Sequence, residues 1–189
     1  MNPKTPKINY KKIAADIEKD VDEFLSKYNT AIKNNAKRIS DFFEMECYNN
    51  IVKFYKRNGY SIKCENLKGG AFNYKLSPAG YPENFSYFSV VKKKDGLIFN
   101  IYHNVAVQSS WCSNIYITPD IVVTNNHPIE SGASFFYGKP SKRKYKYVKN
   151  SNLVTFFECK NFIPFPELIF NFTGIFYELI MNRKSKNPI

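Results

Sequence analysis

Apolar residues recur at helical spacing near the start of the chain and at strand spacing through its middle, and this change of period predicts the order of elements. In residues 11–33, KKIAADIEKDVDEFLSKYNTAIK, the positions Ile13, Ile17, Val21, Phe24, Leu25 and Tyr28 line one side of a helix whose other side is charged. Its plainest use is packing or dimerisation. A second helix is expected to begin near Ser40 or Asp41, both good N-caps, and to stop before Gly59. There Phe43, Cys47, Tyr48, Ile51, Val52, Phe54 and Tyr55 form one apolar face with Glu44 near its middle. Glu46 falls on the opposite, solvated side with Asn50, Lys53 and Arg57. A carboxylate on an inward face is costly when unpaired. Glu44 therefore points either to exposure at the helix N-terminus, where the dipole favours an anion, or to an active site.

After Gly59 the period shortens to two. YSIKCENL, FNYKLSP, FSYFSVVKK and LIFNIYHNVAV are β-branched and aromatic runs parted by Gly69-Gly70, Pro78-Ala79-Gly80, Pro82 and Asp95-Gly96. Lys94-Asp95-Gly96 reads as a hairpin turn. ITPDIVV (117–123) and LVTFFECK (153–160) predict two more strands, with Asp120 inside the first and Glu158 and Lys160 on one face of the second. Pro164 and Pro166 open a final helix, apolar nearly all round, which predicts burial or a protein interface. The fold class that follows is α+β, a mixed β-sheet flanked by helices. Residues 1–38 are expected to form an N-terminal helical extension and 39–189 the main domain, with no internal repeat.

Charge adds a partner to this picture. The net charge is +12, and residues 139–189, with 10 basic and 3 acidic side chains, hold +7 of it. Such an excess attracts polyanions, nucleic acid above all, or else serves solubility. The stretch GKPSKRKYKYVKN (138–150) interleaves six basic residues with Tyr145 and Tyr147; Lys142, Arg143, Lys144, Tyr145, Lys146 and Tyr147 suit phosphate contacts with aromatic stacking, or a merely solvated hairpin.

Other chemistries have little support. Cys47, Cys64, Cys112 and Cys159 are scattered, without a C-x-x-C, and His103 and His127 are isolated, so a structural zinc site is not expected and the thiols are expected to be free. Both histidines read as ordinary strand-end or loop residues. Neither a phosphate-cradling glycine motif nor a serine elbow is present. The N-terminus lacks an apolar signal run, and 165–181 is too short and polar to span a bilayer, so a cytoplasmic protein without membrane attachment is expected.

The candidate chemistry lies in Glu158-Cys159-Lys160. Of the 16 acidic residues, Glu158 alone has a Lys two positions later. Asp120, Glu158 and Glu44 are three carboxylates on otherwise apolar elements, and gathering them raises their pKa values unless a cation compensates. Hard oxygen ligands suit Mg²⁺ or Mn²⁺, and Lys160 beside the metal is placed to orient a water or to stabilise charge on a phosphate.

Pro119-Asp120 followed by Glu158-x-Lys160 resembles the motif of the PD-(D/E)xK nuclease superfamily, the restriction-endonuclease-like fold. The order of helix with Glu, meander with Asp, E-x-K strand and helix is similar over roughly residues 40–182. The resemblance implies a restriction-endonuclease-like core carrying an extra N-terminal helix. It implies that Asp120 and Glu158 bind the catalytic metal with the carbonyl of Cys159, that Lys160 assists the water, and that Glu44 completes the site. The implied activity is Mg²⁺-dependent cleavage of nucleic acid, most simply by a DNA endonuclease, with a homodimer if both strands are cut. Residues 124–150 would then be an insertion between the motif strands, and a specificity module is not recognisable. The alternatives are a non-catalytic nucleic-acid-binding module on the same fold, and an interaction protein using the greasy final helix.

Overall fold

A computed structural model describes residues 39–136, 139–160 and 165–182, and of residues 39, 133–136 and 139–144 the backbone alone. The helix expected over 11–33 and the whole N-terminal extension lie outside the described residues. In chain order the elements are helix α1 (Ile39–Arg57), strands β1 (Ser61–Glu65), β2 (Tyr87–Lys92), β3 (Leu97–His103), β4 (Val107–Gln108), β5 (Tyr116–Ile117), β6 (Ile121–Asn125), β7 (Glu130–Phe136), β8 (Lys139–Tyr147) and β9 (Leu153–Phe157), then helix α2 (Pro166–Leu179). This is the α+β arrangement.

Five strands make the main sheet, in the order β1-β2-β3-β6-β9, and every pairing in it is antiparallel rather than mixed. The reason is that its neighbours are joined by returns, not by crossover helices. The tightest return is at Asp95-Gly96, where Gly96 takes φ 66 and the hairpin closes as expected. β4 pairs with β5, and β7 with β8, as separate two-stranded ribbons. The β7–β8 hairpin is the insertion between β6 and β9.

Alternation places two cores on the two faces of the sheet. On one, Met45, Tyr48 and Val52 of α1 pack against Val90, Ile101, Ile121 and Val123. The Tyr48 hydroxyl donates to the Ile101 carbonyl (2.5 Å), which satisfies a polar group burial would otherwise penalise. On the other face Tyr102, Val122, Leu153 and Phe156 meet Val105, Val107, Val148 and Leu179. Burial on both sides explains why β6 reads as a continuous apolar run.

Several expectations change. Met45 is fully buried while Phe54 is 60% exposed, because the face in contact follows 45, 48 and 52 rather than the broader stripe. Glu46 is not a solvated charge; its side chain is largely covered and lies 3.5 Å from the Lys53 ammonium. FNYKLSP forms no strand, and Lys75 within it is buried. The strand expected over 117–123 is broken: Pro119 cannot donate to a ladder, so β5 ends at Ile117, Asp120 sits in a bend, and β6 starts at Ile121. β9 ends at Phe157, leaving Glu158 and Lys160 just beyond it. α2 begins at Pro166 as expected but is not buried: Ile169, Phe170, Phe172, Phe176 and Tyr177 are exposed and Leu179 is its anchor. No helix of the described residues is long and apolar enough to cross a membrane.

Candidate active site

Register assembles the site. His103 is paired with Ile121, and Ile121 with Phe157, so the end of β3, the start of β6 and the end of β9 lie abreast at one end of the sheet. The residues one step beyond them, Asn104, Asp120 and Glu158, are therefore neighbours although 38 residues separate Asp120 from Glu158. The Asn104 amide donates to the Asp120 carbonyl (2.8 Å), and the Cys159 amide donates to Asp120 Oδ2 (2.6 Å).

The Lys160 ammonium stands between two carboxylates, 3.0 Å from Asp120 Oδ2 and 3.0 Å from Glu158 Oε2. About a third of the Lys160 side chain is exposed, and the carboxylates are more covered (15% for Asp120, 13% for Glu158). Burial, and then the charge of Asp120, push the Glu158 carboxyl up; Lys160 opposes both. Burial acts to lower the Lys160 pKa, but hydrogen bonds and charge from Asp120 and Glu158 outweigh it and raise the value. Lys160 is thus held charged between the two acids.

Helix α1 supplies the next shell. Glu44 and Cys47 are three residues apart and face the sheet end. The thiols of Cys47 and Cys159 are hydrogen-bonded; that bond, followed by burial and the neighbouring negative charge, keeps Cys159 protonated. Glu44 Oε2 accepts from Asn104 Nδ2 (3.4 Å) and lies 3.5 Å from His103 Nε2. His103 is 2% exposed, its ring is stacked on Tyr48 at 5.1 Å, and neither ring nitrogen has a hydrogen-bond partner among the described residues. The contact with Glu44 is thus close without hydrogen-bond geometry.

Of the residues expected in the site, Asp120, Glu158 and Lys160 come into direct contact. Glu44 joins through Asn104. Cys159 enters by its amide and its thiol. Among the described residues, no group of three His, Cys, Asp or Glu side chains is assembled as a ready ligand set. The donor chemistry still fits a hard divalent cation, since Asp120 and Glu158 offer oxygens around a position already filled by a cationic ammonium.

The basic stretch is placed on β8, whose backbone pairs with β7 and carries Lys142, Arg143 and Lys144. Tyr145 and Tyr147 both tilt against Tyr116 with ring centroids at 4.8 Å, so one side of each is already used inside the protein. Lys146 pairs with Glu83 (2.5 Å).

Asn104 and Lys75 were not singled out from sequence, and His103 was read as an ordinary strand-end or loop residue. Asn104 has φ 51, a left-handed conformation that Asn tolerates better than most residues. Its run, His-Asn after an apolar strand, is a strand-end signal and nothing more. Comparisons with protein-family models, with curated proteins and with solved structures found no match.

Proposed function

We propose that the protein is a metal-dependent nuclease hydrolysing phosphodiester bonds of nucleic acid, DNA in the first instance. The observation that carries this reading is the convergence of Asp120, Glu158 and Lys160 at one sheet end, with Lys160 Nζ 3.0 Å from each carboxylate. The spacing that resembles a PD-(D/E)xK motif in the sequence is thereby also a cluster in space, just beyond the ends of the adjacent strands β6 and β9, with Glu44 nearby on the preceding helix.

In this reading Asp120 and Glu158 would hold Mg²⁺ or Mn²⁺, which would supply Lewis-acid chemistry for phosphodiester hydrolysis. The Cys159 amide fixes Asp120 by donating to Oδ2, leaving Oδ1 free of that bond. Burial and the charge of Asp120 raise the Glu158 pKa, and a cation held at its oxygens would favour the ionised form. Lys160 is charged and one-third exposed, and so is placed to orient the attacking water or to meet a phosphate oxygen. Glu44 anchors the Asn104 side chain and so the turn abutting Asp120.

Incubation of plasmid, linear duplex and single-stranded DNA with Mg²⁺, Mn²⁺ or EDTA, beside Asp120→Ala and Lys160→Ala, tests this. Cutting that requires metal and disappears in both variants is expected. Salt-sensitive retardation of DNA without any cleavage would leave only a binding module.

A further inference from the structure

Next to the carboxylate cluster lies a cavity of about 210 Å³, walled by the 78–82 loop, Val105 and Ala106 on one side and by Tyr145 and Lys146 of the inserted hairpin on the other. Counting roughly 30 Å³ per water, it has room for about seven waters, enough for a phosphate and part of its sugar. At its wall is Lys75, 3% exposed. Its ammonium donates to the carbonyls of Ser77 (2.5 Å) and Asn104 (2.8 Å), which uses two of three N–H groups. Among the described residues it has no carboxylate partner.

The Lys75 ammonium also lies over the Phe85 ring, 5.8 Å from its centroid, but a buried charge met only by two carbonyls and a ring face still costs free energy that an apolar residue would avoid. The cost is visible in the burial that pulls the Lys75 pKa down to about 8. The residues that line the cavity include no carboxylate. Lys146 on its rim is a second cation, paired to the more exposed Glu83. The rings of Tyr81 and Tyr145 and the faces of Pro78 and Pro82 suit a sugar and base.

Asn104 joins this cavity to the other cluster. Its carbonyl takes Lys75 Nζ, its amide reaches the Asp120 carbonyl, and its side chain bridges the Lys75 carbonyl (3.0 Å) and Glu44. Resting on the nuclease reading for the identity of the strand, we propose that this cavity is a second phosphate subsite, in which Lys75 receives the phosphate of a nucleotide adjoining the one presented to Asp120, Glu158 and Lys160.

The test is equilibrium binding in EDTA, where no cleavage intervenes, so that failure of the subsite and failure of catalysis are separate results. Anisotropy of a short fluorescein-labelled DNA strand is measured against salt for wild type and Lys75→Gln, and calorimetry with adenosine 5′-monophosphate asks whether a free nucleotide suffices. The expected result is weaker DNA binding in Lys75→Gln, with the slope of log K against log salt reduced by about 0.7 for one lost phosphate contact on a single strand. Binding of the mononucleotide that is lost in the same variant assigns the cavity to free nucleotides as well. Trace acetylation of the wild type, read by mass spectrometry, requires no variant to fold: DNA should protect Lys75 relative to Lys63, whose side chain is 73% exposed. Unchanged affinity and salt slope in a folded Lys75→Gln, or Lys75 acetylation indifferent to DNA, would overturn the subsite whether or not the protein cuts.

Discussion

Removing the Lys160 ammonium without removing its volume, by Lys160→Met, leaves Asp120 and Glu158 facing each other unneutralised. At 3.0 Å and an effective dielectric of about 20, each contact is worth roughly 5 kcal/mol of gross Coulomb energy. Desolvation takes most of that back. Exposed pairs net about 0–1 kcal/mol, and breaking a buried pair costs about 3–5 kcal/mol. With Lys160 one-third exposed and the carboxylates mostly covered, a loss of about 2–3 kcal/mol at pH 7 is expected. For a chain of this size that lowers Tm by roughly 4–12 °C. The pH dependence identifies the cause. Glu158 already has a raised pKa in the folded state, so the folded protein binds more protons than the unfolded chain, and this group's contribution to stability falls as pH rises. Without Lys160 the rise is larger and the fall steeper. The gap between wild type and variant should therefore be wide at pH 7 and narrower near pH 4, as Glu158 takes up its proton. Urea unfolding at the two pH values measures it. A variant within about 0.5 kcal/mol of wild type at both would refute the reasoning, because surface substitutions away from such a cluster behave that way.

Other outcomes follow from the same physical picture. Lys75 titrates near 8 in the folded protein against 10.5 in the unfolded chain, so the unfolded chain binds more protons between these values and stability rises with pH across that window. The gain is about 3 kcal/mol and is absent from Lys75→Met, as difference unfolding curves at pH 8 and 10 would record. Met45→Ala should cost about 2–5 kcal/mol by leaving a cavity between α1 and the sheet, whereas Phe54→Ser should change stability by less than about 0.5 kcal/mol. Thermal unfolding of the two variants compares them directly.

Much of the frame was legible because it depends on local signals. Gly59, Asp95-Gly96 and Pro166 mark ends and turns, and alternation marked β1, β2 and β3. The meeting of Glu158 and Lys160 was legible because Glu158-x-Lys160 is unusual beside an apolar run. What was not legible depends on register and contact. Pro119 was visible, but that it would part Asp120 from the preceding strand depends on β4 drawing Tyr116–Ile117 into a separate ribbon. Lys75 lay in a run read only as strand-like; its ammonium is instead held by the carbonyls of Ser77 and of Asn104, the latter 29 residues away. Glu46 fell on the polar side of the helical wheel beside Lys53, but the wheel cannot register that the Glu46 side chain is largely covered. His103 read as ordinary because nothing local tells that Glu44 and Tyr48 meet it at the sheet end.

The central claim is that Asp120 and Glu158 are a divalent-cation site and not only an ion pair with Lys160. Calorimetric titration with Mn²⁺ decides it. Saturable binding is predicted for the wild type, lost in Asp120→Asn and Glu158→Gln and tightened in Lys160→Met, where the ammonium no longer competes for the carboxylates. Absence of saturable binding in the wild type, or binding that survives both carboxylate substitutions unchanged, would contradict it.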